Sequence, residues 1–187
     1  MGQYYKACLI NDNGIKIIRP SGWKMMEHCW YGNRGMERVE KLLNEEHYRV
    51  IWLWDYSPCA AFAWDSPLEE EDLCYDDEYE EWYTLEHKAD KIYYLINHTR
   101  KEYICMNKQE VNEELMDNYK NVVHPLWLLC RADTEEAGWD YHSEINQDLL
   151  WIWCGDEINV LEADDYKDTS LQELGYEDKT DVYFFKE

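Results

Sequence analysis

Two Cys–His juxtapositions come nearest to a nucleophile with its base: His28 beside Cys29, and His124 six residues before Cys130. A cysteine attacks as its thiolate, which requires an exposed, electropositive setting. This chain carries 41 acidic against 18 basic residues, a net charge of −23, so the expectation at both places is a core cysteine and a hydrogen-bonded histidine. Neither G-x-S-x-G, nor S-x-x-K, nor a Gly-rich phosphate loop occurs, which removes the local signatures of the common hydrolases and nucleotide-binding enzymes. Zinc calls for paired short spacings, whereas the seven cysteines at 8, 29, 59, 74, 105, 130 and 154 contain no C-x-x-C. Asp133 to Asp140 sets carboxylates near Gly138 without the alternating ligands and closing Glu of a calcium loop. A glycosidase acid pair is defined by separation in space and is not readable among 41 carboxylates. The chain therefore reads as non-enzymatic, with no metal or cofactor expected.

The remaining constellation is the acidity itself, and it is uneven. Residues 1 to 50 carry 8 basic and 6 acidic groups, and residues 51 to 187 carry 10 and 35. Such a surface repels DNA, RNA and anionic membranes and steers basic proteins inward. The density peaks where nine of the thirteen residues from 69 to 81 are acidic. Ser66-Pro67-Leu68-Glu69 has the capping residue, first-turn proline and acid of a helix start, which predicts a helix from 66 to about 83. On it Glu69, Asp72, Asp76 and Glu80 share a face, with Glu70, Asp77 and Glu81 beside them and Tyr75, Tyr79 and Trp82 opposite. Carboxylates held in rows on a rigid element imitate the charge of a nucleic acid, while the same acids on a solvated segment confer only solubility.

The elements expected to carry these residues are short. Tyr4 to Ile10 and Ile15 to Arg19 flank Asn11-Asp12-Asn13-Gly14 as a hairpin. Residues 34 to 46, after Asn33, repeat Met36, Val39, Leu42 and Leu43 at helical spacing, with Glu37, Arg38, Glu40 and Lys41 read as facing away. Tyr48 to Tyr56 is a strand with consecutive apolar residues. Lys91 to Asn97 and Lys101 to Met106 form a second hairpin, and Asn107 with Glu110 resembles a capping box for a helix over about 108 to 118. His124 to Arg131, Leu149 to Cys154, Ile158 to Leu161 and Val182 to Lys186 are further strand candidates. The echo between Val50 to Asp55 and Leu149 to Cys154 fits either duplicated central strands or convergence of two buried ones. The sum is a single α+β domain, residues 1–187, mainly an antiparallel sheet of about eight short strands with two or three helices. No apolar stretch approaches the roughly 20 residues of a membrane helix. With no secretory leader read at the start, reduced thiols and a cytoplasmic location are expected.

Met1-Gly2-Gln3-Tyr4-Tyr5-Lys6, followed by Gly22-Trp23-Lys24-Met25-Met26-Glu27-His28, resembles a family of mostly uncharacterised phage, plasmid and bacterial proteins that begin MGQYY. Ile51 to Tyr56, Asn97 to Ile104, His124-Pro125-Leu126 and Trp151 to Val160 continue the likeness. It departs at 132 to 141, where the family is Gly-rich and this chain reads Ala-Asp-Thr-Glu-Glu-Ala-Gly-Trp-Asp-Tyr. In size and charge the chain also resembles anti-CRISPR inhibitors. That resemblance implies an antidefence protein whose acidic surface, Glu69, Glu70, Asp72, Asp76, Asp77, Glu80 and Glu81, occupies a basic nucleic-acid-binding partner, a Cas nuclease above all. Two alternatives stand beside it. One is an enzyme on a small molecule or nucleotide using Cys29, His28 or His124; the other is a host interaction protein whose acidity gives only solubility.

Overall fold

The alternation between Tyr4 and Arg19 folds as a hairpin, β1 (Tyr5–Asn11) against β2 (Gly14–Arg19), with Ala7 opposite Ile18 and Asn11 opposite Gly14. Gly14 closes it at φ 142°, an angle that penalises a side chain. The structure is a computed structural model describing residues 4–19, 30–55, 70–72, 87–108, 123–132, 149 and 151–184. The further strands are β3 (Tyr48–Trp54), β4 (Glu70–Asp72), β5 (Ile92–Asn97), β6 (Glu102–Cys105), β7 (Glu157–Ala163) and β8 (Glu177–Asp178). The helices are α1 (Arg34–Glu45), α2 (Pro125–Cys130), α3 (Asp168–Glu173) and α4 (Thr180–Phe184), with a 3-10 turn at Met106–Lys108. The strands form one sheet in the order β4-β2-β1-β3-β7-β5-β6-β8. The six inner strands pair antiparallel, and the two short edge strands pair parallel, β4 with β2 and β8 with β6. The fold is α+β on a mostly antiparallel sheet, as expected.

Strand alternation divides the core between the two faces of this sheet. Tyr5, Ala7 and Leu9 of β1, Tyr48, Val50 and Trp52 of β3, and Tyr93 and Leu95 of β5 join one large cluster with α1 and α2. Tyr94, Ile96, Tyr103 and Cys105 turn the other way and pack with Leu171 of α3. Cys8, Ile17 and Leu53 form a small third cluster. Helix α1 is held by its apolar stripe, Met36, Val39, Leu42 and Leu43, all nearly inaccessible, and Asn33 caps it by accepting from the Gly35 N–H at 2.8 Å. Truncating one of these leucines to Ala typically costs about 2–5 kcal/mol.

Several expectations are corrected. The helix over 66–83 is not formed at Glu70, Glu71 and Asp72, which are strand β4 beside Ile17, Ile18 and Arg19. An acid-dense helix suffers i,i+4 repulsion, whereas a strand spreads neighbours at ~3.3 Å per residue instead of ~1.5 Å. Glu69, Asp76, Asp77, Glu80 and Glu81 lie outside the described residues. The strand expected at His124 to Arg131 is α2, because Pro125 opens a helix and the His124 side chain caps it by accepting from the Leu126 N–H at 3.1 Å. All six α2 residues are buried, and continuous burial erases the periodicity that distinguishes helix from strand.

Leu149 to Cys154 is also no strand in its described residues. Trp151 to Gly155 are turns, with Trp151 at φ 53°, so the echo of Val50 to Asp55 is not a structural repeat. Thr180–Phe184 is helical where a strand was expected over 182–186. Among the described residues the Asn107 side chain bonds to the start of β5. Its Oδ1 accepts from the Tyr93 N–H at 2.6 Å and its Nδ2 donates to the Lys91 carbonyl at 2.8 Å, tying β5 down. The helix expected beyond Lys108 lies outside the described residues.

Candidate functional site

Three chemically distinct places follow from this scaffold. The first is the sheet edge. β4 reads Glu70-Glu71-Asp72 and β8 reads Glu177-Asp178, so both outermost strands consist wholly of acids. Of the chain's 18 basic and 41 acidic residues, the described ones account for 15 and 21, leaving 3 and 20 in the other segments. Within the described part, Lys41, Lys88, Lys91, Arg100, Lys108 and Lys179 are each held in an ion pair with a carboxylate. Six of the fifteen described cations are thus offset by direct ion pairs, and the surplus of the framework is anionic.

The second place is buried. Glu40, which sequence periodicity set on the outer face of α1, is 2% exposed. Its position is four residues from Met36 and three from Leu43, which places it on the apolar stripe; that spacing was the available signal. Glu40 Oε1 lies 3.0 Å from His124 Nε2 and 3.0 Å from His87 Nε2. Because His124 Nδ1 accepts the Leu126 N–H, its Nε2–H donates to Glu40, and both ring nitrogens are engaged. Burial pushes the Glu40 carboxyl up, but the two imidazoles outweigh it and hold it at about 2. His87 is part-exposed, stacks on Tyr93 at 4.0 Å, and is raised above its ordinary range because its bond to Glu40 overcomes the opposing effect of burial.

His124 and Cys130 therefore form no nucleophile and base. They sit at opposite ends of α2, about 9 Å apart along the axis. Burial also pushes the Cys130 thiol up, away from the thiolate. His28, Cys29 and the carboxylates of 133–140 lie outside the described residues. No group of three or more His, Cys, Asp or Glu among the described residues is arranged to hold a metal ion.

The third place is a cleft of about 590 Å³ at one end of the sheet, where the β1–β2 turn, the end of α1, the start of β3, the β5–β6 turn and the start of β7 meet. Glu46 Oε2 accepts from Tyr48 Oη at 3.1 Å and Asn11 Nδ2 at 2.8 Å, and these bonds lower its pKa. His47 Nδ1–H donates to Glu157 Oε1 at 3.0 Å, and its ring stacks on His98 at 4.3 Å. His98 is fixed in turn: Nε2–H donates to Asn159 Oδ1 at 2.7 Å and Nδ1 accepts from Tyr176 Oη at 2.8 Å. Burial pushes its imidazole down, which keeps it neutral behind His47.

No protein-family model, curated protein or solved structure matches this chain.

Proposed function

We propose that this chain is a non-enzymatic binding protein that presents carboxylates to a basic, nucleic-acid-binding partner, in its specific form an antidefence protein obstructing the channel of a Cas nuclease. The observation that supports it is β4: part of the densest acidic run in the chain is built into the sheet as an edge strand. Acidic residues carried on a paired strand keep their backbone spacing when a partner approaches, and less ordering entropy is lost on docking than for a loose acidic loop. Attraction of this kind is screened over about 8 Å at physiological ionic strength.

The test is a DNA-cleavage assay with purified Cas nuclease and guide at rising salt. The unaltered chain is compared with Glu70→Gln/Glu71→Gln/Asp72→Asn, and with a variant also neutralised at Glu69, Asp76, Asp77, Glu80 and Glu81. Inhibition that fades with salt and needs roughly tenfold more of the variants supports the reading. Absence of inhibition by the unaltered chain, or inhibition indifferent to both variants, overturns it. A second reading, that the acidity serves the protein alone, is favoured by β8: the opposite edge is acidic too and lies outside the dense run.

A further inference from the structure

The cleft beside His47 sets one cation among several acids. Six lysines and arginines of the described surface are tied to carboxylates, whereas the exposed Arg49 guanidinium, like that of Arg34 outside the cleft, has no hydrogen bond or ion pair among the described residues. It lines a cleft that also holds Asp12, Glu46 and Glu157. Arg49 and the three carboxylates leave two negative charges in excess, so a multiply charged anion such as a nucleotide phosphate is repelled. A ligand that satisfies the cleft brings one carboxylate for the planar Arg49 fork and more than one cationic nitrogen for the acids.

The acids are already oriented. Glu46 is fixed by Tyr48 and Asn11, and Glu157 accepts from His47 while its own N–H donates to Thr99 Oγ1 at 2.9 Å. Nδ1–H of His47 is engaged by Glu157, so Nε2 is the ring nitrogen without a hydrogen bond among the described residues. The stacked, neutral His98 holds that ring without adding a competing positive charge. The volume, about 590 Å³, falls within the ~300–1,000 Å³ span of small-molecule sites.

We infer that this cleft is a binding site for a free basic α-amino acid of the arginine or lysine class, its carboxylate on Arg49 and its cationic groups on Asp12, Glu46 and Glu157. This stands apart from the edge-strand reading and does not depend on it. The test is calorimetric titration of the full chain at low salt with L-arginine, agmatine, which lacks the carboxylate, and N-acetyl-L-arginine amide, which lacks both α-charges. Saturable binding of L-arginine with Kd below about 1 mM is expected, with both analogues at least about tenfold weaker. Arg49→Gln should bring arginine down to the level of agmatine, and Asp12→Asn/Glu46→Gln should weaken both, with circular dichroism verifying that each variant folds. Absence of saturable arginine binding overturns the inference, as does an Arg49→Gln variant that binds arginine normally. Equal affinity for the doubly blocked arginine also overturns it, because the cleft then takes a protein's basic side chain.

Discussion

Glu40 shows how much a single buried charge governs. Removing its negative charge leaves the His124 N–H donating to a weaker acceptor inside the core, and Glu40→Gln should cost about 2–3 kcal/mol in urea unfolding at neutral pH. The pH dependence has two limbs. The Glu40 folded pKa of about 2 lies below its ordinary 4.5, so its contribution is full above about 4.5 and is lost as pH falls through 2. The His87 folded pKa lies above its ordinary 6.5, so its contribution is full below 6.5 and is lost as pH rises through the folded value. Chemical denaturation across pH 2 to 9 should show both limbs in the unaltered chain. His87→Asn should remove the alkaline limb, and Glu40→Gln both. The alkaline limb is the smaller, because His87 is partly open to solvent.

At the scale of elements, legibility tracked the turn and capping residues that bound a segment. The hairpins β1–β2 and β5–β6 were readable from their polar turns, Asn11 to Gly14 and Asn97 to Arg100, although β1 and β5 are buried over most of their length, and α1 was readable from its apolar stripe after the Asn33 cap. α2 was misread as a strand because its residues are uniformly apolar and uniformly buried, so no periodicity survives, and the turn after Leu149 because its residues are apolar in sequence although Trp151 is exposed. β4 was expected as helix for another reason: Ser66-Pro67 is a valid local helix signal, while the pairing of Glu70 to Asp72 with β2 is invisible locally. Of the places with chemistry, the acidic run was visible as composition. The Glu40 cluster and the cleft were not, since both join residues far apart in sequence. The misread turn carries its own prediction. Gly155 holds φ 78° while its N–H donates to the Val50 carbonyl at 2.9 Å, so Gly155→Ala should destabilise by about 1–2 kcal/mol through backbone strain. Ile51 Cδ1 stands 4.0 Å from the added Cβ, so crowding adds little. Thermal unfolding monitored by tryptophan fluorescence will measure the loss.

At the scale of the whole molecule, a charge of −23 on 187 residues means that the folded chain repels itself. Added salt screens that repulsion, so the Tm should rise by several degrees between about 10 mM and 0.5 M NaCl. Glutamine and asparagine variants of the acidic run should start from a higher Tm and gain less. A Tm that falls with salt in the unaltered chain would mean that its ion pairs, such as Arg100 with Asp156, outweigh the repulsion.

The two acidic borders of the sheet bear on what the protein does in company with its own copies. A border strand offers backbone groups that a second molecule's strand can extend, and among the described strands both borders are made only of acidic residues. The barrier to joining copies is therefore a titratable one. Near pH 4.5, where the chain's net charge vanishes, neighbouring molecules lose their mutual repulsion and the borders open to intermolecular pairing. Mild acid should convert the protein into sheet-rich assemblies visible by light scattering and thioflavin fluorescence before its tryptophans report unfolding.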